Sequence, residues 1–269
     1  MIPCRFINLD RAGERRLAME RQGRRLGLGL ERVRAVEAAE ITPARAAALG
    51  RSWERPLSLP ELACFLSHHA LWERIVEEGR PALILEDDAV LSPRILDALA
   101  AAEALEGVDL LNFEDFGKRR FVARHGARPL GPGLSRIRLY RDKAGSAAYL
   151  LWPSGARKLL LRAEKGAAPA DAFIHGAGLE AWLCEPALAA QTHVLAQRGI
   201  GAQAASSVQA RRERLAVAPA NARFLARRVG TQLRLALHHA ARLTRADYRR
   251  VALDEGVRPD AGEPPISRR

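Results

Sequence analysis

Three consecutive carboxylates, Glu86, Asp87 and Asp88, interrupt an apolar run over residues 83–91. A charged triplet in a buried strand is costly unless it emerges at the strand's end into a cleft and meets cations. Carboxylate oxygens suit Mg²⁺ or Mn²⁺, which also bind substrate phosphates. The triplet, called the acidic corner below, therefore predicts a metal site for a phosphorylated substrate. The alternative is a solvated acidic turn between two strands, and the triplet alone does not decide between them.

The elements that position this corner begin at the amino terminus. Residues 2–9 predict a buried strand, residues 13–26 a helix and residues 33–36 a second strand, which is the order of a parallel crossover unit. Ligands of open α/β sheets bind beyond the carboxyl ends of the strands. Candidate nucleotide contacts at these ends are Asn8, Arg11, Arg15, Arg16 and Glu37. For each arginine, a solvated helix face is the alternative. The chain has no glycine-rich dinucleotide or Walker loop, which argues against dehydrogenases and P-loop enzymes.

A long helix is predicted over residues 59–78. Ser58 and Glu61 form a capping box at its start, and Gly79 ends it. Two of its sides are mostly apolar, so the helix should be well buried. Ser67 and His68 could face the site, although a packed, hydrogen-bonded histidine is the commoner case.

Further carboxylates follow other predicted strands and turns. Glu114 and Asp115 end a strand over residues 108–113, and Asp171 lies in a turn, where an N-cap is the alternative role. Residues 118–143 predict a long excursion over the site, and residues 145–151 predict a strand whose small residues permit close backbone approach. A segment over residues 188–208 should return to the cleft with the polar residues Gln191, His193, Gln197, Ser206 and Ser207.

The composition is that of a globular protein of one large or two modest domains. The 269 residues include three cysteines, far apart in sequence and without zinc-site spacing, so we expect a reducing compartment. We find neither a secretory signal nor a stretch long enough to span a membrane, and we therefore expect a cytoplasmic protein.

The positive charge is concentrated near the carboxyl terminus. Residues 211–250 contain eleven arginines and two acidic residues, a net charge of +9 within a total of +12. An amphipathic helix over residues 221–243 suits an anionic membrane surface, and the alternative is a helix that covers the catalytic domain. Nucleic acid is disfavoured because few aromatic residues accompany the arginines. The rival interpretation from another class is a non-enzymatic basic adaptor using residues 211–250. We expect residues 256–269 to be a disordered tail.

Taken together, several motifs resemble glycosyltransferase family 25. These motifs are residues 6–11 with Arg15 and Arg16, residues 61–68, residues 85–88, residues 145–149 with 156–160, and residues 169–171. They occur in the family's order over about residues 2–210. The family contains galactosyl- and glucosyltransferases of lipopolysaccharide and lipooligosaccharide synthesis, with relatives that act on collagen.

The resemblance implies an α/β, GT-A-like catalytic domain over residues 1–210, built on a mostly parallel, Rossmann-like central sheet. A basic helical extension over residues 211–255 and the tail would follow. It also implies a UDP-sugar donor, a hexose transferred with inversion, a divalent metal (Mn²⁺ or Mg²⁺), and a saccharide or lipid-linked saccharide acceptor. That acceptor would bring the enzyme to the inner face of the cytoplasmic membrane.

The resemblance implies roles for the metal ligands named next and for Asn8 and Arg11 near the nucleotide, whereas the general bases and the other donor contacts are candidates from their places at strand ends and turns. Asp88 is the leading metal ligand, assisted by Glu86 or Asp87. The family more often has Gly-Thr-Ala before its tyrosine, and Ser146 keeps the hydroxyl of that threonine. The candidate general bases, in declining order, are Asp171, Glu114 and Asp115. The candidate donor-binding residues are Asn8, Arg11, Arg15, Glu37, Ser67, His68, Asp87 and Ser146.

Overall fold

The computed structural model describes residues 1–141, 145–201 and 218–259. Its strands are β1 Cys4–Asn8, β2 Leu30–Arg34, β3 Ala82–Glu86, β4 Ala89–Leu91, β5 Leu110–Asn112, β6 Arg120–Ala123, β7 Arg128–Pro129, β8 Ser135–Arg141, β9 Ala148–Leu151, β10 Ala181–Glu185, β11 Ala189–Gln191 and β12 Ala246–Arg249. Its α-helices are α1 Gly13–Leu26, α2 Pro43–Leu49, α3 Leu59–Glu78, α4 Ile95–Ala102, α5 Pro153–Ala163, α6 Ala170–His175, α7 Thr192–Gln197 and α8 Ala222–Ala240.

A large sheet forms the centre of the molecule. Among the described residues its strand order is β12, β6, β8, β10, β5, β9, β3, β1 and β2, with β7 paired to β8. Strand β1 lies between β2 and β3 and is parallel to both, which confirms the predicted crossover unit. Strands β4 and β11 form a separate antiparallel pair.

The prediction of a mostly parallel sheet was wrong, because the sheet is mixed. Strand β9 runs antiparallel between β3 and β5, and β8 runs antiparallel to both β6 and β10. The predicted excursion over residues 118–143 contributes β6, β7 and β8, which short turns join, and such connections produce antiparallel pairs. An apolar run specifies burial of a strand but does not specify its direction.

Helices cover both faces of the sheet. In β3, Ala82 and Ile84 pack into an apolar cluster with α3, α5 and α6. Leu83 and Leu85 pack into a second cluster with α1 and α4. This alternation explains why β3 is apolar throughout, since both of its faces are buried.

The ends of α3 follow the predicted signals. The Ser58 hydroxyl accepts a hydrogen bond from the backbone N–H of Glu61, and the Glu61 carboxylate accepts one from the backbone N–H of Ser58. Gly79 ends the helix in the left-handed conformation, at φ of 64°. The helix is buried along much of its length, with Trp72 and Ile75 fully enclosed.

The basic carboxyl-terminal segment packs against the rest of the molecule. Phe224 of α8 is fully buried, and Arg227 donates hydrogen bonds to the carbonyl oxygens of Arg51 and Trp53 at 2.7 and 3.2 Å. Strand β12 pairs with β6 at the edge of the main sheet. Of the predicted extension, residues 211–217 lie outside the described residues.

The predicted tail over residues 256–269 falls mostly outside the described residues, which end at 259, and Val257 is buried. None of the helices in the described ranges combines the length and apolarity needed to cross a bilayer.

Candidate active site

The acidic corner lies at the edge of the sheet where β1, β3 and β5 end. Strand β9 runs the other way, so the residues just before it reach the same edge. The backbone N–H of Glu86 donates to the carbonyl of Ala147, and the Ser146 hydroxyl donates to Glu86 Oε1 at 2.6 Å. The structure therefore brings the predicted residues Glu86 and Ser146 into direct contact.

Gln191 joins two carboxylates of the corner. Its amide nitrogen lies 3.3 Å from Glu86 Oε2 and 3.1 and 3.3 Å from the two carboxylate oxygens of Asp88. The pairing of β11 with β4 sets Gln191 opposite Ala89, immediately after the corner. The side chains of Glu86 and Asp88 therefore converge on one donor.

Asp87 points away from this pair toward the end of β1. It accepts hydrogen bonds from the Asn8 amide at 2.8 Å and from the Arg15 guanidinium at 2.9 Å. Asn8 is buried and in turn accepts a hydrogen bond from Arg32 at 3.0 Å. Three predicted residues thus form one network, with Arg32 as a member that the sequence did not single out.

The electrostatics of the corner favour a cation. Burial and the negative charge of Glu86 raise the pKa of Asp88 to about 7. Burial also opposes ionisation of Glu86, but His68, Ser146 and Arg15 outweigh it and lower the pKa of Glu86. Two converging carboxylates repel each other when both are ionised. A divalent metal ion would fit between them, because its positive charge offsets that repulsion. An all-oxygen set also suits Mg²⁺ or Mn²⁺.

Glu114 is the buried acid beside the corner. Its Oε2 accepts the backbone N–H of Ala147 at 2.8 Å, and its side chain is shielded from solvent. Burial and the charge of Glu86 raise its pKa to about 8, despite the opposing charge of Arg120. Glu114 is therefore protonated at neutral pH in the metal-free protein.

The backbone at Gly145 lies against the end of β5. The Asn112 amide donates to the Gly145 carbonyl at 2.7 Å, and Arg120 donates to the Asn112 side-chain oxygen at 2.9 Å. Gly145 has φ of 111°, and a Cβ there would lie 2.9 Å from an Arg120 nitrogen. The positive φ favours glycine, and an added Cβ would force the buried Arg120 guanidinium to shift.

His68 faces the corner from α3, as the sequence suggested. Its side chain is fully buried, and its Nε2 lies 3.6 Å from Glu86 Oε1. Ser67, by contrast, links two elements, because its hydroxyl donates to the Ala63 carbonyl at 2.8 Å and accepts from Val36 N–H at 2.9 Å. Its donor-binding role stays a prediction.

The remaining predicted residues form their hydrogen bonds and ion pairs outside the acidic corner. Arg11 is exposed and pairs with Glu37, beyond the end of β1. Asp115 is buried, pairs with Arg198 and accepts the Gly117 N–H at 2.7 Å. Asp171 is half-buried inside the first turn of helix α6 and not in the predicted turn, and the alternative N-cap role was wrong because Pro169 is the N-cap.

Several contacts of the site could not be recognised from local sequence. Asn112 lies at the end of β5 and was not singled out, although its place at a strand end is a usable signal. Gln191 had been expected to return to the cleft, but the carboxylates that it contacts had not been foreseen. Tyr149 is buried in β9, and no local pattern indicated that its hydroxyl meets His68.

Comparison with known proteins identifies the family. The model of glycosyltransferase family 25, described as an LPS biosynthesis protein, matches residues 1–174. The chain therefore belongs to glycosyltransferase family 25, as its motifs predicted.

Curated relatives match over part of their length. A glycosyltransferase 25 family member from Anopheles gambiae is 31% identical over 173 residues, 58% of this chain and 28% of the relative. A counterpart from Aedes aegypti is 30% identical over 169 residues, 58% of this chain and 27% of the relative. Procollagen galactosyltransferase 1 from Danio rerio is 33% identical over 93 residues, 31% of this chain and 15% of the relative. The chain thus spans less than a third of each of these relatives.

Proposed function

We propose that the protein is an inverting, metal-dependent glycosyltransferase that moves a hexose, galactose or glucose, from a UDP-sugar to a saccharide acceptor. The acceptor would belong to lipopolysaccharide, lipooligosaccharide or another surface glycan. Membership of family 25 supports this class of reaction. The observation that carries the proposal is the convergence of Glu86 and Asp88 on Gln191 at the carboxyl edge of the sheet.

In this proposal, Glu86 and Asp88 hold Mn²⁺ or Mg²⁺. When bound, the ion neutralises the charge of the departing diphosphate. Ser146 and Gln191 keep Glu86 oriented through the hydrogen bonds described above. Asp87 fixes Asn8 and Arg15, so the basic side chain stays beside the place where phosphates would lie.

Asp171 remains our first choice of general base. It is more accessible than Glu114 or Asp115, and its charge is near enough to contribute to the raised pKa of Cys64. Glu114 is shielded from solvent and already accepts the backbone N–H of Ala147, and Asp115 is paired with Arg198, so each is a poorer proton acceptor than the half-buried Asp171. A well-placed base contributes on the order of 10² to 10⁴ in rate.

The metal role is tested by Asp88→Ala, with Asp97→Ala on the exposed side of α4 as the control. We expect Asp88→Ala to abolish Mn²⁺-dependent UDP-sugar turnover and the Mn²⁺-dependent thermal shift with UDP, and Asp97→Ala to retain both. Near-normal turnover of Asp88→Ala in Mn²⁺-containing buffer would refute the assignment.

The base is tested separately by Asp171→Asn. Calorimetry should detect UDP binding as in the original chain, while sugar transfer is lost. If UDP binding disappears as well, Asp171 has a structural or metal-binding role and the assignment fails.

We further propose that α8 contacts an anionic membrane surface, where a lipid-linked acceptor would lie. Val229, Leu233 and Leu237 follow one another at one-turn intervals and expose 67%, 60% and 63% of their surface. Arg223 and Arg234 are exposed nearby on the same helix. An exposed apolar stripe beside arginines is the pattern of an interfacial helix.

Vesicle flotation tests this contact with Leu233→Ser/Leu237→Ser and, as a control, Leu161→Ser, which alters an equally exposed leucine of α5 (60%). The double variant should lose binding to phosphatidylglycerol vesicles while the control retains it. Unchanged flotation of the double variant would exclude a membrane role for the stripe. Membrane binding without any sugar transfer would favour the non-enzymatic adaptor.

A further inference from the structure

A second set of potential metal ligands adjoins the acidic corner. Cys64 and His68 lie one turn apart on α3 and face Glu86 at the end of β3. One donor atom from each, the Cys64 sulfur, a His68 ring nitrogen and a Glu86 oxygen, lie within 4.8 Å of one another. This set differs from the carboxylate pair of the acidic corner, Glu86 and Asp88, which offers only oxygen atoms.

The imidazole of His68 is held at one nitrogen, and its other nitrogen faces Glu86 Oε1 at 3.6 Å. Its Nδ1 lies 2.9 Å from the Tyr149 hydroxyl, which also accepts the indole N–H of Trp72 at 3.1 Å. Its Nε2 is buried and has no hydrogen-bond partner among the described residues. Metal-binding histidines usually donate their second ring N–H to a carboxylate, a carbonyl or water, which orients the ring, and the Tyr149 hydroxyl oxygen occupies that position here.

Cys64 differs from the other two cysteines of the chain. Cys4 and Cys184 are buried in the apolar interior, whereas Cys64 is half-buried beside the carboxylates. Burial and the charges of Glu86, Asp171 and Asp88 raise the pKa of its thiol. Those same negative charges attract a cation, and the thiol releases its proton to solvent when a metal binds.

We propose that Cys64, His68 and Glu86 bind Zn²⁺. Thiolate and imidazole ligands select Zn²⁺ over Mg²⁺ and Mn²⁺, which prefer oxygen. Because Glu86 belongs to both sets, zinc at this site removes a ligand from the corner. If the corner holds the catalytic metal proposed above, zinc is then an inhibitor that competes with Mn²⁺.

The site is tested with Co²⁺ as a spectroscopic stand-in for zinc, on the full chain freed of metal. The original chain should develop a near-ultraviolet sulfur-to-cobalt absorption band, and one equivalent of Zn²⁺ should displace it. Cys64→Ser should lose the band, and Tyr149→Phe should weaken Zn²⁺ binding about 10- to 100-fold. Circular dichroism of each variant verifies that it is folded.

Asp88→Asn is the matched control, because it alters the corner and leaves the zinc ligands intact. It should keep the cobalt band and lose the Mn²⁺ response, whereas Cys64→Ser should do the reverse. This crossed pattern separates the two proposals, since the cobalt band is read without any sugar transfer. A cobalt band that survives in Cys64→Ser, or the absence of a band in the original chain, would overturn the zinc site.

Discussion

Removing one hydroxyl from the interior should measurably destabilise the protein. Tyr149→Phe leaves His68 Nδ1 and Trp72 Nε1 without the oxygen that lies 2.9 and 3.1 Å from them. Both side chains are fully buried, and water has no direct access to either nitrogen. Each buried polar group left without a partner costs roughly 1–3 kcal/mol. The costs of the two groups add. We expect the free energy of unfolding to fall by about 2–4 kcal/mol, the lower part of that sum, because small shifts of the two rings recover part of the loss.

Denaturant unfolding followed by tryptophan fluorescence measures this loss. The midpoint should move to lower denaturant while the slope of the transition stays unchanged. Tyr248→Phe is the control, because that tyrosine is 51% exposed, and it should change stability by less than about 0.5 kcal/mol. If Tyr149→Phe is no more destabilising than this control, the buried hydroxyl is not the acceptor that the argument requires.

Three further predictions concern the start of α3, the pH dependence of stability and the backbone at Gly145. Ser58→Ala should lower the free energy of unfolding by about 1 kcal/mol, because the capping box is lost, and Ser58→Thr should restore most of it in the same unfolding assay. In the metal-free protein, Glu114 has a folded pKa of about 8 against an ordinary value of 4.5, so the folded state binds its proton more tightly. Stability should therefore fall as the pH rises from about 4.5 to about 8, and Glu114→Gln should reduce the fall of the thermal unfolding midpoint across that range, leaving the part that Asp88, with its pKa of about 7, contributes. A pH profile of the variant parallel to that of the original chain would contradict this origin. Gly145→Ala should reduce sugar transfer while leaving far-ultraviolet circular dichroism unchanged, because a Cβ would meet Arg120 at 2.9 Å. Full transfer activity in Gly145→Ala would mean that sugar transfer does not depend on the close approach of Gly145 to Arg120.

Local signals predicted the elements that carry the site. The capping residues and Gly79 set the ends of α3, and the apolar runs set β1 and β3, because these features depend on neighbours a few residues away. The carboxylates at strand ends were recognised by the same logic. Their convergence at one edge followed from the crossover rule, which holds for parallel strands.

Residues 188–208 were expected to return to the cleft, but the particular pairs of side chains that meet between distant segments could not be predicted in the same way. Asp87 meets Asn8 and Arg15 across more than seventy residues, and Gln191 reaches the corner from more than a hundred residues away. The insertion of β9 between β3 and β5 also depends on global packing, so the sheet direction was misjudged. Ser67 is a further example. The sequence suggested it only as a residue that contacts the sugar donor, whereas in the structure its hydroxyl links Ala63 to Val36.

Gln22 of α1 completes the support of the acidic corner from behind. Its amide donates to the Ala89 carbonyl and accepts the Leu91 N–H, each at 2.9 Å, so a side chain imitates a neighbouring strand. Strand β4 is therefore satisfied on both of its edges, by β11 and by this amide, and offers no open edge to a foreign strand. Helix α1 thus steadies the turn that carries Asp87 and Asp88, and a substitution of Gln22 should loosen the positions of these two carboxylates.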